Sequence, residues 1–432
     1  MDIQQNTLYL LTPGSYVSRD HLTLYVEVPV YPAELAPAER TRENAVDWKK
    51  VSIPIHHLES LCVFGPSTVT APALDLCWEH GVAVNYLSEF GRFQARLTGV
   101  ADTSVTLRRT QFRVADDAHK SAGIARQMVA GKIQNARNSL LRAARENDEP
   151  AEQAQLEGVI AGLARQIRLL AQVPRAEAAA PSEDGLPEEA SAGSPEAESL
   201  TPDSEPLGRS RREEAQPSET CLDPAAGSES LLPSAPPVET ATRAKSVLDR
   251  VRGAEGLAAQ SYFSVFGLML KQQRETFVFR TRNRRPPRDR VNCLLSFLYA
   301  LVRHDCIAAL TSAGLDPFVG FLHVDRPNRP SLALDLMEEF RPWLADRLAV
   351  TLINRQQIGP EHFHEREGGA VELTEPGRKL IIKSYQERKQ ERLNHPLLDQ
   401  HLRVSQLPFV QARILARHLR GDLAAYLPLV PK

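Results

Sequence analysis

Gly320-Phe321-Leu322-His323 and, beyond an Arg/Pro-rich turn, Ser331-Leu332-Ala333-Leu334-Asp335-Leu336-Met337-Glu338-Glu339-Phe340 set an apolar run ending in an imidazole ahead of an acid-bearing helix. The helix is read from Leu336, Met337, Phe340 and Leu344, which recur at helical spacing. Asp335 and Glu338 therefore stand three residues apart on one face. Paired carboxylates with one imidazole suit a hard, oxygen-preferring cation that tolerates a nitrogen ligand, manganese or magnesium rather than a thiolate-bound zinc. Such ions commonly act on phosphates. One short segment seldom closes a metal site, so a further ligand is expected from elsewhere in the chain.

Around this segment the apolar period is mostly that of helices. Ser246–Gly267, Val291–Cys306, Ser331–Phe340, Pro376–Leu393 and Pro408–Leu419 follow it, and Glu361–Glu372 alternates around Glu367-Gly368-Gly369 as a small hairpin. Upstream, Ile124, Met128, Ile133, Ala136 and Leu140 mark one helix, and Leu156, Val159, Leu163, Ile167 and Leu170 mark a second that pairs with it. Residues 1–100 read differently. Thr7–Thr12, His21–Val28, Val51–Ile55, Ser60–Phe64, Val82–Leu87 and Arg92–Leu97 are short β-rich runs broken by Gly, Pro or Asp, with one helix at Thr70–His80 and a hairpin turn at Glu89-Phe90-Gly91. Tyr31–Asp47 reads as an exposed extension.

The chain has 432 residues and is 42% hydrophobic, enough for substantial cores. Its net charge of −2 hides two unlike parts. Residues 176–242 carry fifteen Asp/Glu against Arg209, Arg211 and Arg212 and no aromatic residue, so they cannot bury enough surface to offset their ordering entropy. The rest holds 49 Lys/Arg against 39 Asp/Glu, a basic surplus of ten that favours nucleic acid as partner. The expected class is α+β. A small β domain (1–100) precedes the first helices (101–175), a disordered acidic insertion (176–242) and a larger α-helical catalytic domain (243–432). Met1–Asn6 has no basic, apolar leader pattern and no run reaches the ~20 apolar residues of a membrane span, so a cytoplasmic location and no membrane partner are expected. The five cysteines, Cys62, Cys77, Cys221, Cys293 and Cys306, form no CxxC pair and read as reduced thiols.

Two further clusters bear on the site. Glu255 lies in a helical stretch between Gly253 and Gly256, each costing ~1 kcal/mol relative to Ala, which points to close backbone approach. Arg280, Arg282, Arg284, Arg285, Arg288 and Arg290 crowd ahead of the Asn292 helix, where they suit DNA phosphates; Asn292 and Tyr299, seven apart on one face, are candidates to support the site or contact DNA, with helix packing as the alternative. His362 and His364 alternate beside Glu365 without a third ligand at zinc spacing, and His304-Asp305 reads as a charge contact at a helix end.

Gly253-Ala254-Glu255-Gly256 with Tyr262-Phe263, the run Arg285–Leu301, Ala313-Gly314-Leu315-Asp316-Pro317 with Gly320–His323, and Ser331–Pro342 together resemble Cas1, the CRISPR-associated endonuclease and integrase of spacer acquisition. Asn6–Pro13, Ile55–Gly65 and Gly81–Arg96 resemble its N-terminal segments, nearest the subtype I-C branch. The resemblance spans the chain apart from the acidic insertion and the Tyr31–Asp47 extension. It implies a metal triad of Glu255, His323 and Glu338 with Asp335 as auxiliary catalytic acid, and Mg2+ or Mn2+ as cofactor. It further implies DNA substrates (prespacer and CRISPR repeat), a homodimer formed through the β domain, Cas2 as partner and, in this branch, often Cas4. The implied reaction is insertion of captured DNA into the array by 3′-hydroxyl transesterification. A metal-dependent nuclease of branched DNA in repair and a non-catalytic DNA-binding scaffold are the alternatives.

Overall fold

The computed structural model describes residues 7–32, 42–58, 60–88, 93–97, 105–172 and 238–431, with backbone alone for 42, 93 and 238–246. Strands come first: β1 (Thr7–Leu10), β2 (Tyr16–Asp20), β3 (Thr23–Val30), β4 (Asp47–Pro54), β5 (Ser60–Phe64), β6 (Thr68–Val69), β7 (Ala83–Leu87) and β8 (Phe93–Leu97), with α1 (Ala71–Glu79) between β6 and β7. They form two four-stranded sheets, ordered β1-β5-β7-β8 and β4-β3-β2-β6. In the first, β1, β5 and β7 run parallel and β8 returns antiparallel. In the second, β3 pairs antiparallel with β2 and β4, and β6 lies parallel to β2.

β5 explains how the sheets meet the helices. Every residue in it is buried. Leu61 and Val63 face the inter-sheet core with Leu10, Val17, Leu24, Val26 and Leu76. Cys62 and Phe64 instead join the helical core, where the Phe64 ring lies 6.3 Å from Phe297. A strand covered on both faces needs no polar alternation, so Ser60–Phe64 reads as one apolar run.

The helical part begins with α2 (Val105–Asp116), α3 (Ala118–Arg145) and α4 (Pro150–Gln172). Asp117 caps α3 by accepting from the His119 and Lys120 amides. Further along the chain come α5 (Val238–Ser264), α6 (Arg290–Ser312), α7 (Ser331–Met337), a π-helical turn Arg341–Asp346, α8 (Arg347–Asn354), α9 (Glu375–Gln390) and α10 (Leu407–Arg420). Two antiparallel hairpins complete it, β9 (Phe363–Glu365) with β10 (Val371–Leu373), and β11 (Arg392–His395) with β12 (Gln400–Arg403). α6 is long and apolar enough to cross a membrane by length and composition, but most of it is buried as the central core helix.

The α+β reading is what the structure has, a strand-rich N-terminal part followed by a mostly helical one. Details differ. β2, β6, α2 and the β11–β12 hairpin have no counterpart in the sequence reading. α5 starts at Val238, so residues 238–242, expected in the acidic insertion, are helical. Residues 176–237 of that insertion, the Glu89–Gly91 turn and residues 33–41 of the Tyr31–Asp47 extension lie outside the described residues. The helix expected over Ser331–Phe340 ends at Met337, and the chain re-forms a wider turn around Pro342, which has no amide hydrogen to donate. His304 and Asp305 are buried inside α6 rather than at its end; Asp305 pairs with Lys389 at 2.9 Å and accepts from Tyr385 at 2.6 Å.

Candidate metal centre

The loop carrying His323 is held from three sides. Gln111 of α2, fully buried, donates to the carbonyls of Asp316 (2.8 Å) and Val319 (2.9 Å) and accepts from the Asp316 amide (2.8 Å). Arg252 of α5 donates to the Leu322 carbonyl at 2.8 Å, one turn before Glu255. Asp335 of α7 supplies the third hold. Its Oδ2 accepts from the amides of Phe321 (2.6 Å) and Leu322 (2.9 Å), and its Oδ1 from the His323 amide (3.0 Å), with His323 Nδ1 at 2.6 Å. Gly320 is required by this packing, since a Cβ there would lie 2.8 Å from Ser331 Cβ and 2.9 Å from Asp335 Oδ2.

Asp335 is thus committed to His323 and its backbone. The sequence reading put it on one face with Glu338 as an auxiliary acid; the structure gives the two acids separate tasks. Fixing Nδ1 leaves Nε2 as the available nitrogen, and it points toward Glu338 with 3.9 Å to Oε1.

Glu338, at the C-terminal end of α7, is 1% exposed. Arg341, from the π-helical turn, reaches its Oε1 at 2.9 Å, and the Lys132 ammonium from α3 lies 2.6 Å from its Oε2. Burial pushes the Glu338 carboxyl up, but Arg341, Lys132 and His323 outweigh it and hold the group at about 2. Lys132 also contacts Glu255 Oε1. Two of the triad positions, Glu255 of α5 and Glu338 of α7, therefore meet on one cation, an ammonium, and the third, His323, lies beside Glu338. Among the described residues no three His, Cys, Asp or Glu side chains converge at ligand distance. The donor set still fits a divalent metal, because the structure already holds a positive charge between Glu255 and Glu338. Glu338 Oε2 meets it as an ion pair, without an aligned hydrogen bond.

Behind the site, Asp346 accepts from the Tyr299 hydroxyl at 2.7 Å, and the Tyr299 ring carries Arg341 at 5.1 Å and Arg282 at 5.3 Å. Burial lifts the Asp346 carboxyl to about 6 against the Tyr299 hydrogen bond. A cavity beside the centre is lined by Lys132, Tyr262, Arg284, Tyr299, Arg341 and Asp346.

The proposed DNA contacts divide. Asn292 is fully buried, donating to the Thr281 carbonyl (2.8 Å) and Asp289 (2.6 Å) and accepting from the Asn283 amide (3.1 Å). Arg282 bonds Asn292 and Ser296 under the Tyr299 ring, and Arg290 bonds the Thr276 carbonyl and Glu365. Asn292 is thereby removed from the DNA-contact set because no surface of it is left to offer, and Arg282 and Arg290 spend their donors on the fold. Arg284, Arg285 and Arg288 are exposed. The close approach inferred at Gly253 and Gly256 is likewise absent, since a Cβ at either would meet open space. His362 serves the turn before β9, accepting from the Gly359 amide at 3.0 Å.

Lys132 and Arg341 were missed by reading the sequence. The signal for Lys132 is its place four residues after Met128 and four before Ala136, a charge inside the buried stripe of α3.

An α+β chain whose helical part sets two carboxylates on one cation position beside an imidazole carries donors suited to a divalent metal and to phosphate chemistry. Residues 8–184 and 210–387 match the family profile described as CRISPR associated protein Cas1. The CRISPR-associated endonuclease Cas1 1 of Moorella thermoacetica is 38% identical over 430 residues, 100% of this chain and 99% of that protein. The CRISPR-associated endonuclease Cas1 of Leptospira interrogans is 39% identical over 326 residues, 76% of this chain and all of that one. A Cas4/Cas1 fusion from Geobacter sulfurreducens is 29% identical, covering 97% of this chain and 59% of the fusion. Among solved structures, a casposase bound to integration product has a TM-score of 0.67 at 16% identity, covering 98% of this chain and 93% of that one. A Cas6-RT-Cas1–Cas2 complex has a TM-score of 0.64 at 20% identity, covering 99% and 36%. The chain belongs to the CRISPR-associated Cas1 endonuclease family.

Proposed function

We propose that this protein is a metal-dependent DNA integrase and endonuclease of subtype I-C, inserting captured DNA into a CRISPR array by attack of a 3′-hydroxyl on a phosphodiester. The observation that carries this reading is the meeting of Glu255 and Glu338, from helices 83 residues apart in sequence, on one cation position beside His323. Bound there, Mg2+ or Mn2+ would offset charge on the scissile phosphate and activate the attacking hydroxyl. Glu255 and Glu338 would supply its oxygens and His323 Nε2 its nitrogen. Asp335 orients the imidazole, and Arg341 keeps Glu338 ionised. Arg284, Arg285 and Arg288 are the phosphate contacts we assign to DNA, with prespacer and repeat as substrates.

Residues 1–100 are taken as a dimerising β domain, 101–175 with 243–432 as the catalytic part, and 176–242 as a tether. A homodimer in the cytoplasm working with Cas2 and Cas4 completes the reading; the Cas1–Cas2 complex among the structural neighbours and the Cas4/Cas1 fusion among the relatives support those partners.

The test is a strand-transfer and disintegration assay on branched DNA carrying the repeat, with Mn2+ or Mg2+. Joining should require metal and fall by three orders of magnitude or more in Glu338→Ala and His323→Ala, with DNA binding retained. Hydrolysis without joining would favour a repair nuclease instead, and absence of chemistry with Cas2 present would favour a scaffold.

A further inference from the structure

The point where Glu255 and Glu338 meet is filled by a side chain from a third element, and its chemistry is specific. Lys132 is 9% exposed within the apolar stripe of α3, an expensive place for a charge unless it is paired. It is paired twice, with Glu255 and with Glu338. Arg341 adds a second cation to Glu338 from the opposite side. The four charged groups at this point, two carboxylates and two cations, sum to zero.

The two cations are not equivalent. Arg341 is fixed by a planar guanidinium stacked over Tyr299 and by its bond to Glu338. Lys132 is a compact point charge on a flexible four-carbon stem, and it borders a small cavity that Tyr262 and Arg284 also line. We infer that Lys132 is a resident counter-cation that holds the acid pair assembled when no metal is bound and yields its position when a divalent metal enters. This rests on the metal reading proposed above. Adding a dication to the neutral cluster with Lys132 in place would leave a charge of +2; turning Lys132 out reduces it to +1, which one phosphodiester neutralises. Metal entry, lysine release and engagement of the DNA backbone are therefore coupled through one charge balance.

The experiment titrates Mn2+ into the full chain by calorimetry and records melting temperature in EDTA and in saturating Mn2+, for wild type, Lys132→Met, Lys132→Arg and Glu338→Ala. Lys132→Met keeps the stem and removes the charge. It should melt lower in EDTA, bind Mn2+ at least tenfold more tightly, and recover to the wild-type melting temperature or above once loaded. Lys132→Arg should bind no more tightly than wild type. Folding of Lys132→Met only in the presence of Mn2+ would support the inference as well. A folded Lys132→Met with unchanged or weaker Mn2+ affinity overturns it, as does equal tightening in Lys132→Arg, or a Lys132→Met that folds in neither condition. Glu338→Ala separates the two levels. Mn2+ binding lost there but present in wild type keeps the metal reading whatever Lys132 does, whereas no binding in any of the four proteins removes both.

Discussion

Asp335 and Glu338 are one helical turn apart and chemically alike, yet their oxygens do different things, and the difference lies in what surrounds them. All of the hydrogen bonds Asp335 accepts come from the His323 segment, three amides and the ring Nδ1, which makes it a positioning residue for the imidazole. Asp335→Asn should therefore weaken Mn2+ binding by about 10- to 100-fold, the range seen when a ligand's hydrogen-bond partner is lost. A true ligand should behave otherwise, with Glu338→Ala leaving no measurable Mn2+ heat. Calorimetric titration of both variants decides the matter: equal losses would make Asp335 a ligand, and wild-type affinity in Asp335→Asn would leave it a purely structural clasp. The sequence made both acids and His323 visible because residue type and spacing are enough to nominate ligands. It could not show which acid faces which way, since that depends on the Gly320 backbone lying against Asp335. Lys132 was hidden for a related reason, as the two groups that satisfy its charge lie 123 and 206 positions away along the chain.

At the scale of elements, periodicity located α3, α4, α6, α9 and α10 because each buries a wide apolar stripe. It failed where local bonding overrides periodicity, most clearly after Met337. There the chain passes through a π-helical turn that places Arg341 on Glu338 and Asp346 under Tyr299. That turn carries a pH dependence whose sign follows from Asp346. Its carboxyl is raised from 3.8 to about 6, chiefly by burial, so the folded state holds this proton more tightly than the unfolded chain. Stability from this group is present below 3.8 and is lost as pH rises through about 6, by about 3 kcal/mol at most. Asp346→Asn mimics the protonated form and keeps an oxygen for Tyr299. Relative to wild type it should gain stability steadily between pH 4 and 7, read as the difference between the two melting temperatures. Glu339, also raised, to about 7, is present in both proteins and cancels. Glu338, held at about 2, contributes stability above its ordinary value of 4.5 that is lost as pH falls from there through about 2, and it too is present in both proteins and cancels. A difference that stays flat from pH 4 to 7 would show that Asp346 is ionised throughout.

For the whole molecule, the decisive sequence feature was the division of charge, a basic surplus of ten in one part and the acidic stretch in the other. Composition alone shows this, because it needs no partner across the fold. The family does not need all of this length, since the Leptospira relative matches in full while covering 76% of this chain. Replacing residues 176–237, fourteen acids against three arginines, with a Gly/Ser linker of about 20 residues should leave the fold intact. Loop-closure entropy then favours the shorter chain by about 1 kcal/mol, a small rise in melting temperature. The electrostatic consequence is larger and depends on salt. On the proposed function, fourteen acids carried on the same chain compete with DNA phosphates for basic side chains; without them, DNA affinity should rise at 50 mM salt. The gain should shrink toward 300 mM, where the Debye length falls to roughly 6 Å. Fluorescence anisotropy on a short duplex across that salt range reads both effects. Affinity that drops on replacement would mean that residues 176–237 themselves contribute to DNA binding, and a rise of equal size at every salt concentration would trace the gain to something other than charge.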